Sequence, residues 1–193
     1  MVSNISFESG SFVKYDPVNG INDPATKGFS AGPSKDGTEA YVGHGKVSKS
    51  NCDAYPCPGR LTTNPLKPGI FMPCAGENFD NSQASYLLNH DDLRWVRSDI
   101  YAMQTLTKAV KVTTYTGFPF FYGRIRIGDH YQLGKIHNGN GYVSGNFIED
   151  DNSETTLNFG FDVLVCDSSI PKPAPPTLLS ELPTPPPKCG NFI

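Results

Sequence analysis

The sequence predicts an all-β body: two pseudo-symmetric antiparallel β repeats forming one compact domain, followed by a Pro-rich C-terminal tail. Three observations predict it. Short runs rich in Val, Ile, Thr and aromatic residues are bounded by Gly, Pro, Asn or Asp, as strands between turns are. One order of motifs occurs twice along the chain, which is the signature of a repeat whose copies bury each other's apolar faces. Finally, eight of the 17 prolines lie between Pro171 and Pro187, while nearly all of the 19 glycines precede Gly160.

The strand runs follow in order. The first half offers Ala40-Tyr-Val-Gly, Gly69-Ile-Phe-Met-Pro, Ala84-Ser-Tyr-Leu-Leu and Leu93-Arg-Trp-Val. The second offers Lys108-Ala-Val-Lys-Val-Thr-Thr-Tyr, Phe118 to Ile127, Gly141-Tyr-Val-Ser and Phe159-Gly-Phe-Asp-Val-Leu-Val. Ile125 and Ile127 alternate with Arg124 and Arg126, the period of a half-buried strand. A helical period is weak everywhere. Its best candidate is Ile100 to Lys108, where Ala102, Met103, Gln104 and Leu106 favour helix and two threonines oppose it.

The repeat aligns Gly37-Thr-Glu-Ala-Tyr-Val-Gly-His-Gly-Lys-Val with Gly117-Phe-Pro-Phe-Phe-Tyr-Gly-Arg-Ile-Arg-Ile. Pro58-Gly-Arg-Leu aligns with Leu133-Gly-Lys-Ile, Ile70-Phe-Met-Pro with Gly141-Tyr-Val-Ser, and Ser85-Tyr-Leu-Leu with Gly160-Phe-Asp-Val. The spacing changes between the first two blocks because the first copy carries an extra cysteine loop, Ser50 to Pro56. The expected division is an N-terminal segment over 1–19, a first repeat over 20–96, a second over 97–167 and the tail over 168–193.

Charge and composition exclude several function classes. Sixteen basic against 19 acidic residues leave a net charge of −3, so there is no basic excess to displace counterions from a nucleic acid. No apolar run reaches the roughly 18 to 20 residues of a spanning helix, so no membrane span is expected. The opening Met-Val-Ser-Asn-Ile-Ser-Phe-Glu lacks the basic residue and apolar run of a secretory signal. The expectation is a cytoplasmic or non-classically secreted chain, or an extracellular one if residue 1 is a mature end. Among the five cysteines, Cys52 and Cys57 sit in a Pro-rich turn and form the candidate local disulfide. Their spacing does not match paired zinc ligands, and no metal is expected.

No catalytic constellation emerges. His44, His90, His130 and His137 fall in different segments, and His90-Asp91-Asp92 reads as a solvated turn. Asn138-Gly-Asn-Gly-Tyr follows no parallel strand and opens no helix, so it reads as a hairpin turn rather than a phosphate loop. The chain is expected to be no enzyme and to need no cofactor.

The second copy carries Trp95-Val-Arg-Ser, Lys108-Ala-Val, Phe121-Tyr-Gly-Arg-Ile, Leu133-Gly-Lys-Ile, Gly141-Tyr-Val-Ser-Gly and Phe161-Asp-Val-Leu-Val. The first carries Asp36-Gly, Tyr41-Val-Gly-His, Pro58-Gly-Arg-Leu, Met72-Pro-Cys-Ala-Gly-Glu and Tyr86-Leu-Leu. In this order, and over roughly residues 20 to 167, they resemble the tandem DM-nine repeat. That resemblance implies a small antiparallel β protein that binds sugars, with members similar to mannose-type lectins of innate immunity and others found in natterin-like toxins. Its sugar site uses acidic side chains near an x-D-G turn and the Lys of P-G-K. Here Lys135 keeps the Lys, Arg60 stands in its place in the first copy, Asp36 keeps the turn acid and Glu77 matches the acid after the Gly pair. Ser34, Thr114 and Thr116 replace the other acids.

Elementary chemistry describes the same kind of site. A carboxylate that accepts and an ammonium that donates can bracket a sugar diol, and an aromatic ring can cover its C–H face. Lys135 with Asp36 or Glu77 supplies the polar pair, and Tyr41, Tyr122 or Trp95 the platform. The bland assignments are a solvated turn for Lys135 and Arg60, a turn cap for Asp36, and core for Trp95.

The tail offers a second class of function. Two polyproline stretches flank Leu178-Leu-Ser-Glu-Leu. In this alternative the chain is a structural or assembly protein that self-associates: Leu178, Leu179 and Leu182 dock on a neighbouring subunit, and Cys189 links chains.

Overall fold

A computed structural model describes residues 12–16, 23–46, 56–64, 66, 68–73, 80–98, 106–113, 119–139, 142–148 and 154–167. Its elements are almost all strands. The first sheet holds β1 (Phe12–Lys14), β2 (Ser30–Pro33), β3 (Glu39–Lys46), β4 (Cys57–Thr62), β5 (Gly69–Phe71) and β6 (Asp80–Leu87). The second holds β7 (Leu93–Arg97), β8 (Lys111–Thr113), β9 (Pro119–Ile127), β10 (His130–Gly139), β11 (Tyr142–Ile148), β12 (Glu154–Leu157) and β13 (Asp162–Cys166). One short helix, α1 (Pro24–Lys27), precedes β2. Asp23 caps it by accepting from the Ala25 amide, and Pro24 takes the first turn, where its missing N–H costs nothing. Of the weak helix expected over 100–108, only Leu106–Lys108 are described, and they form a single turn.

The two sheets repeat one topology. The first runs β1-β6-β3-β4-β5 with β2 also on β3; the second runs β7-β13-β9-β10-β11 with β8 also on β9, and adds β12 at its edge. All ladders are antiparallel. The expected internal repeat is therefore built into the hydrogen bonding. Gly43 faces Gly59 in one copy, as Gly123 faces Gly134 in the other. The change of spacing falls in the β3–β4 connection, where the second copy closes with a two-residue turn at Gly128 and Asp129. Gly128 there has φ +58, a conformation costly for other residues.

Two of the expected alignments are corrected. Ile70 pairs with Leu61 where Gly145 pairs with Ile136, so Ile70 corresponds to Gly145, not to Gly141. Ser85 pairs with His44 where Asp162 pairs with Arg124, so Ser85 corresponds to Asp162, not to Gly160. The edges also fall differently from the expected divisions. β1, inside the 1–19 segment, is an edge strand of the first sheet, and β7, cut by the expected 96/97 boundary, lies whole in the second.

Alternation sorts each strand between two cores. Leu61, Ile70, Met72, Ala84 and Tyr86 fill a core inside the first copy. Phe121, Ile125, Ile136, Phe147, Phe161 and Val163 fill its counterpart in the second. The other faces meet in a seam: Ala40, Val42 and Leu87 of the first sheet pack with Tyr122, Leu133 and Leu164 of the second. Each fully buried side chain of this size contributes roughly 1.5 to 3 kcal/mol relative to exposure. Separating the sheets exposes several of them at once, so the sheets stay docked as one body.

Candidate functional site

The ladder registers put the two basic residues singled out by sequence at equivalent places. Arg60 lies between Val42 and Phe71 across the first sheet, and Lys135 between Tyr122 and Asn146 across the second. Their surroundings differ. Arg60 is only 2% exposed, with its guanidinium 5.1 Å from the Phe71 ring centre. Lys135 is half-buried, and its ammonium lies 5.5 Å from the centre of the Phe120 ring. Such cation–ring contacts contribute about 0.5 to 2 kcal/mol, more as water is excluded.

Asp36 sits in the turn between β2 and β3, beside Gly37 at φ +82. Its carboxylate accepts from the Thr38 hydroxyl at 2.6 Å and the Thr38 amide at 2.9 Å, and its other oxygen accepts from the Asn64 side-chain amide. The Thr38 bonds, with help from Asn64 and the Arg60 guanidinium, hold this carboxyl below the ordinary carboxylate range. The acid and the arginine thus act on each other at one rim of the first sheet. Both carboxylate oxygens are already engaged by the turn and the Asn64 loop, which is the geometry of a turn cap.

Lys135 keeps different company. Register places His137 and Ser144 opposite each other, one step along from Lys135 and Asn146 on the same face. Asn146 donates from its side-chain amide to the Thr156 hydroxyl at 3.0 Å. The Phe120 and His137 rings meet edge to face at 6.4 Å. Burial and then the Lys135 ammonium lower the His137 imidazole below its usual value, so His137 is neutral at pH 7 and offers one donor and one acceptor. The Lys135 ammonium and the His137 imidazole, both against the Phe120 ring, and the Asn146 amide on the same face can donate to and accept from adjacent hydroxyls. Ser144, 5% exposed, is too buried to join them.

Sequence reasoning found Lys135 but missed Phe120, His137 and Asn146. The signal that could have found them is the hairpin register, which follows from closing β9–β10 at Gly128-Asp129 and β10–β11 after Gly139. Tyr41 keeps 7% of its surface and Tyr122 none, too little for either ring to cover a ligand. Trp95 is half-buried, with its indole N–H donating to the Ser30 carbonyl at 3.1 Å. Cys57 is buried, its sulfur 3.6 Å from the Pro58 carbonyl oxygen, while Cys52 lies outside the described residues. Glu77, Leu178, Leu179, Leu182 and Cys189 also lie outside them. His90 accepts from the Asp92 amide at 3.2 Å within a turn. Among the described residues no helix is long and apolar enough to cross a membrane.

No protein-family model matches the chain, and no curated protein matches it.

Proposed function

We propose that the chain is a carbohydrate-binding recognition module of the DM-nine kind, with Lys135 at the centre of a mannose-type site. The observation that carries this reading is the company of Lys135: Phe120 under its ammonium, and His137 and Asn146 on the same face. The equivalent registers of Lys135 and Arg60 add support, because the two P-G-K-like motifs then belong to one repeated structural position. In this site Lys135 and Asn146 donate to vicinal hydroxyls, His137 accepts, and Phe120 covers the apolar side of the ring. The buried Arg60 takes no part in it; it supports the first-copy turn through Asp36.

A calorimetric titration with mannose and mannose oligosaccharides tests the reading. Saturable binding is expected, with Lys135→Ala weakening it by about tenfold or more, equivalent to about 1.4 kcal/mol. Lys27→Ala, an exposed change on α1, should leave it unchanged. No saccharide binding by the unaltered chain, or equal binding by Lys135→Ala, defeats the proposal.

A further inference from the structure

One cross-strand row occurs in both sheets with different chemistry. In the second sheet it reads Arg97, Asp162, Arg124, Leu133 across β7, β13, β9 and β10. In the first it reads Lys14, Ser85, His44, Pro58 across β1, β6, β3 and β4. Each row is covered by an aromatic ring from the edge strand at one equivalent position. Trp95 lies over Arg124 at 4.6 Å, and Phe12 over His44 at 4.4 Å between ring centres. His44 also reaches across the seam: its Nδ1 is 3.3 Å from the Tyr122 hydroxyl of β9.

We propose that His44 and Tyr122 form an acid-sensitive latch between the two sheets, in which protonation of the imidazole weakens the docking of one sheet on the other. What surrounds the ring makes it sensitive to acid. Arg124 carries its charge in the seam because the Asp162 carboxylate accepts from its Nε at 3.1 Å. Ser85 occupies the equivalent position beside His44 and supplies no charge. Among the described residues, the ionisable group that meets the ring is the Tyr122 hydroxyl of β9; the Cys57 thiol of β4 acts on that hydroxyl and not on the ring. Lys14 stands at the outer end of the same row on β1, and its charge has the sign of imidazolium. Phe12 adds only an apolar face.

Burial alone depresses the His44 value from 6.5 to about 4. The ring is therefore neutral at pH 7, and in its Nε2–H tautomer Nδ1 accepts the Tyr122 hydroxyl hydrogen, a hydroxyl held far from ionisation by burial. Protonation makes Nδ1 a donor, turns the Tyr122 hydrogen elsewhere and leaves a positive charge in the seam. The sign follows from linkage. The folded value lies below the unfolded one, so the stabilisation is complete above pH 6.5 and is lost as pH falls towards 4. By pH 4 the closed state has lost about 150-fold relative to states in which the ring is solvated, and about 300-fold once the ring is fully protonated at lower pH.

Trp95 is the only tryptophan and lies at the seam, so its emission reports sheet docking. Acidifying the 193-residue chain from pH 7.5 to 4 should red-shift that emission while the strand signal in far-UV dichroism persists. The His44 ring, followed by NMR, should titrate at about 4. His44→Gln should remove the shift in this window, which also subtracts the contribution of His137. Ser85→Asp should raise the ring's titration and reduce the acid shift, because it restores the carboxylate the other sheet has. A ring that titrates near 6.5 in the unaltered chain overturns the latch, as does an acid shift that Ser85→Asp leaves unchanged. If His44→Gln does not fold, the ring titration and Ser85→Asp still decide.

Discussion

The two copies solve one packing problem with opposite electrostatics. At equivalent points of the seam the second copy buries a guanidinium and the first an imidazole, each beneath an aromatic ring from its edge strand. In the second copy Asp162 bridges Arg124 and the more exposed Arg97, and Arg124 also donates to the Ala31 carbonyl of the first sheet at 2.9 Å. Tyr131 adds a second ring at 4.1 Å. The first copy has Ser85, His44 and Lys14 at those positions, and its ring stays neutral. A buried charge thus requires its own counter-charge and hydrogen bonds, whereas a buried neutral base requires only that it remain neutral. Mild acid therefore adds a charge at the first copy's end of the seam, where Ser85 stands in the place of a carboxylate.

The most severe way to break this contrast is to give the second copy the first copy's residue. Asp162→Ser leaves Arg124, largely buried, without its carboxylate. The expected loss is about 3 to 5 kcal/mol, mostly from Arg124, because Arg97 is 63% exposed and its pairing counts for little. Urea denaturation at pH 7.5 measures it. Adding Arg124→His should recover part of the loss by recreating the neutral arrangement of the first copy. A double variant no more stable than Asp162→Ser alone would show that the charge is not what Asp162 answers.

How much of this was legible in the sequence follows from the geometry of strands. The all-β class, the repeat and the equivalence of Gly43 to Gly123 and of Gly59 to Gly134 were readable, because glycine and turn residues punctuate those blocks at fixed spacing. The later blocks slid, by four residues at Ile70 and by two at Ser85. Both slips are even, so each kept the correct face: alternation specifies the face of a strand but not its register. The cause is visible in the core. Tyr86 invites alignment with Phe161, yet Tyr86 stands where Val163 does and Ala84 where Phe161 does. The large and small side chains have exchanged places along the strand while filling the same volume. Phe120, His137 and Asn146 beside Lys135 were illegible for the same reason, since only register brings them together. β12, which has no counterpart among the described residues of the first sheet, left no signal in the repeat at all.

Where the copies agree, the contrast can be sharpened. Gly59 and Gly134 hold the same position, and a Cβ on either would strike the carbonyl of the equivalent neighbour, Phe71 at 2.3 Å or Asn146 at 1.8 Å. Backbone on the adjoining strand cannot yield as a flexible side chain can, so Gly59→Ala and Gly134→Ala should each cost about 1 to 3 kcal/mol. The larger cost is expected at Gly134, where the approach is closer. Thermal denaturation of the two variants compares them. Equal stability with the unaltered chain would mean that the strand spacing relaxes, and that the repeated glycines serve the turns rather than the close approach.

The smallest effect isolates the hydroxyl that joins the two halves. Tyr122→Phe keeps the ring in the seam, where it stacks with Phe12 at 6.1 Å, and removes only the oxygen that meets His44. At pH 7.5 one neutral hydrogen bond is lost and Nδ1 is left buried without that partner, a cost of about 1 kcal/mol. The acid response should survive, because it is burial of the imidazole and not the hydroxyl that depresses its titration. Denaturation at pH 7.5 and at 4.5 separates the two contributions: the variant should be weaker than the unaltered chain at the higher pH and keep most of its dependence on acid. A variant that loses stability at neither pH would remove Tyr122 from the latch and leave the contrast between the copies resting on Ser85 and Asp162.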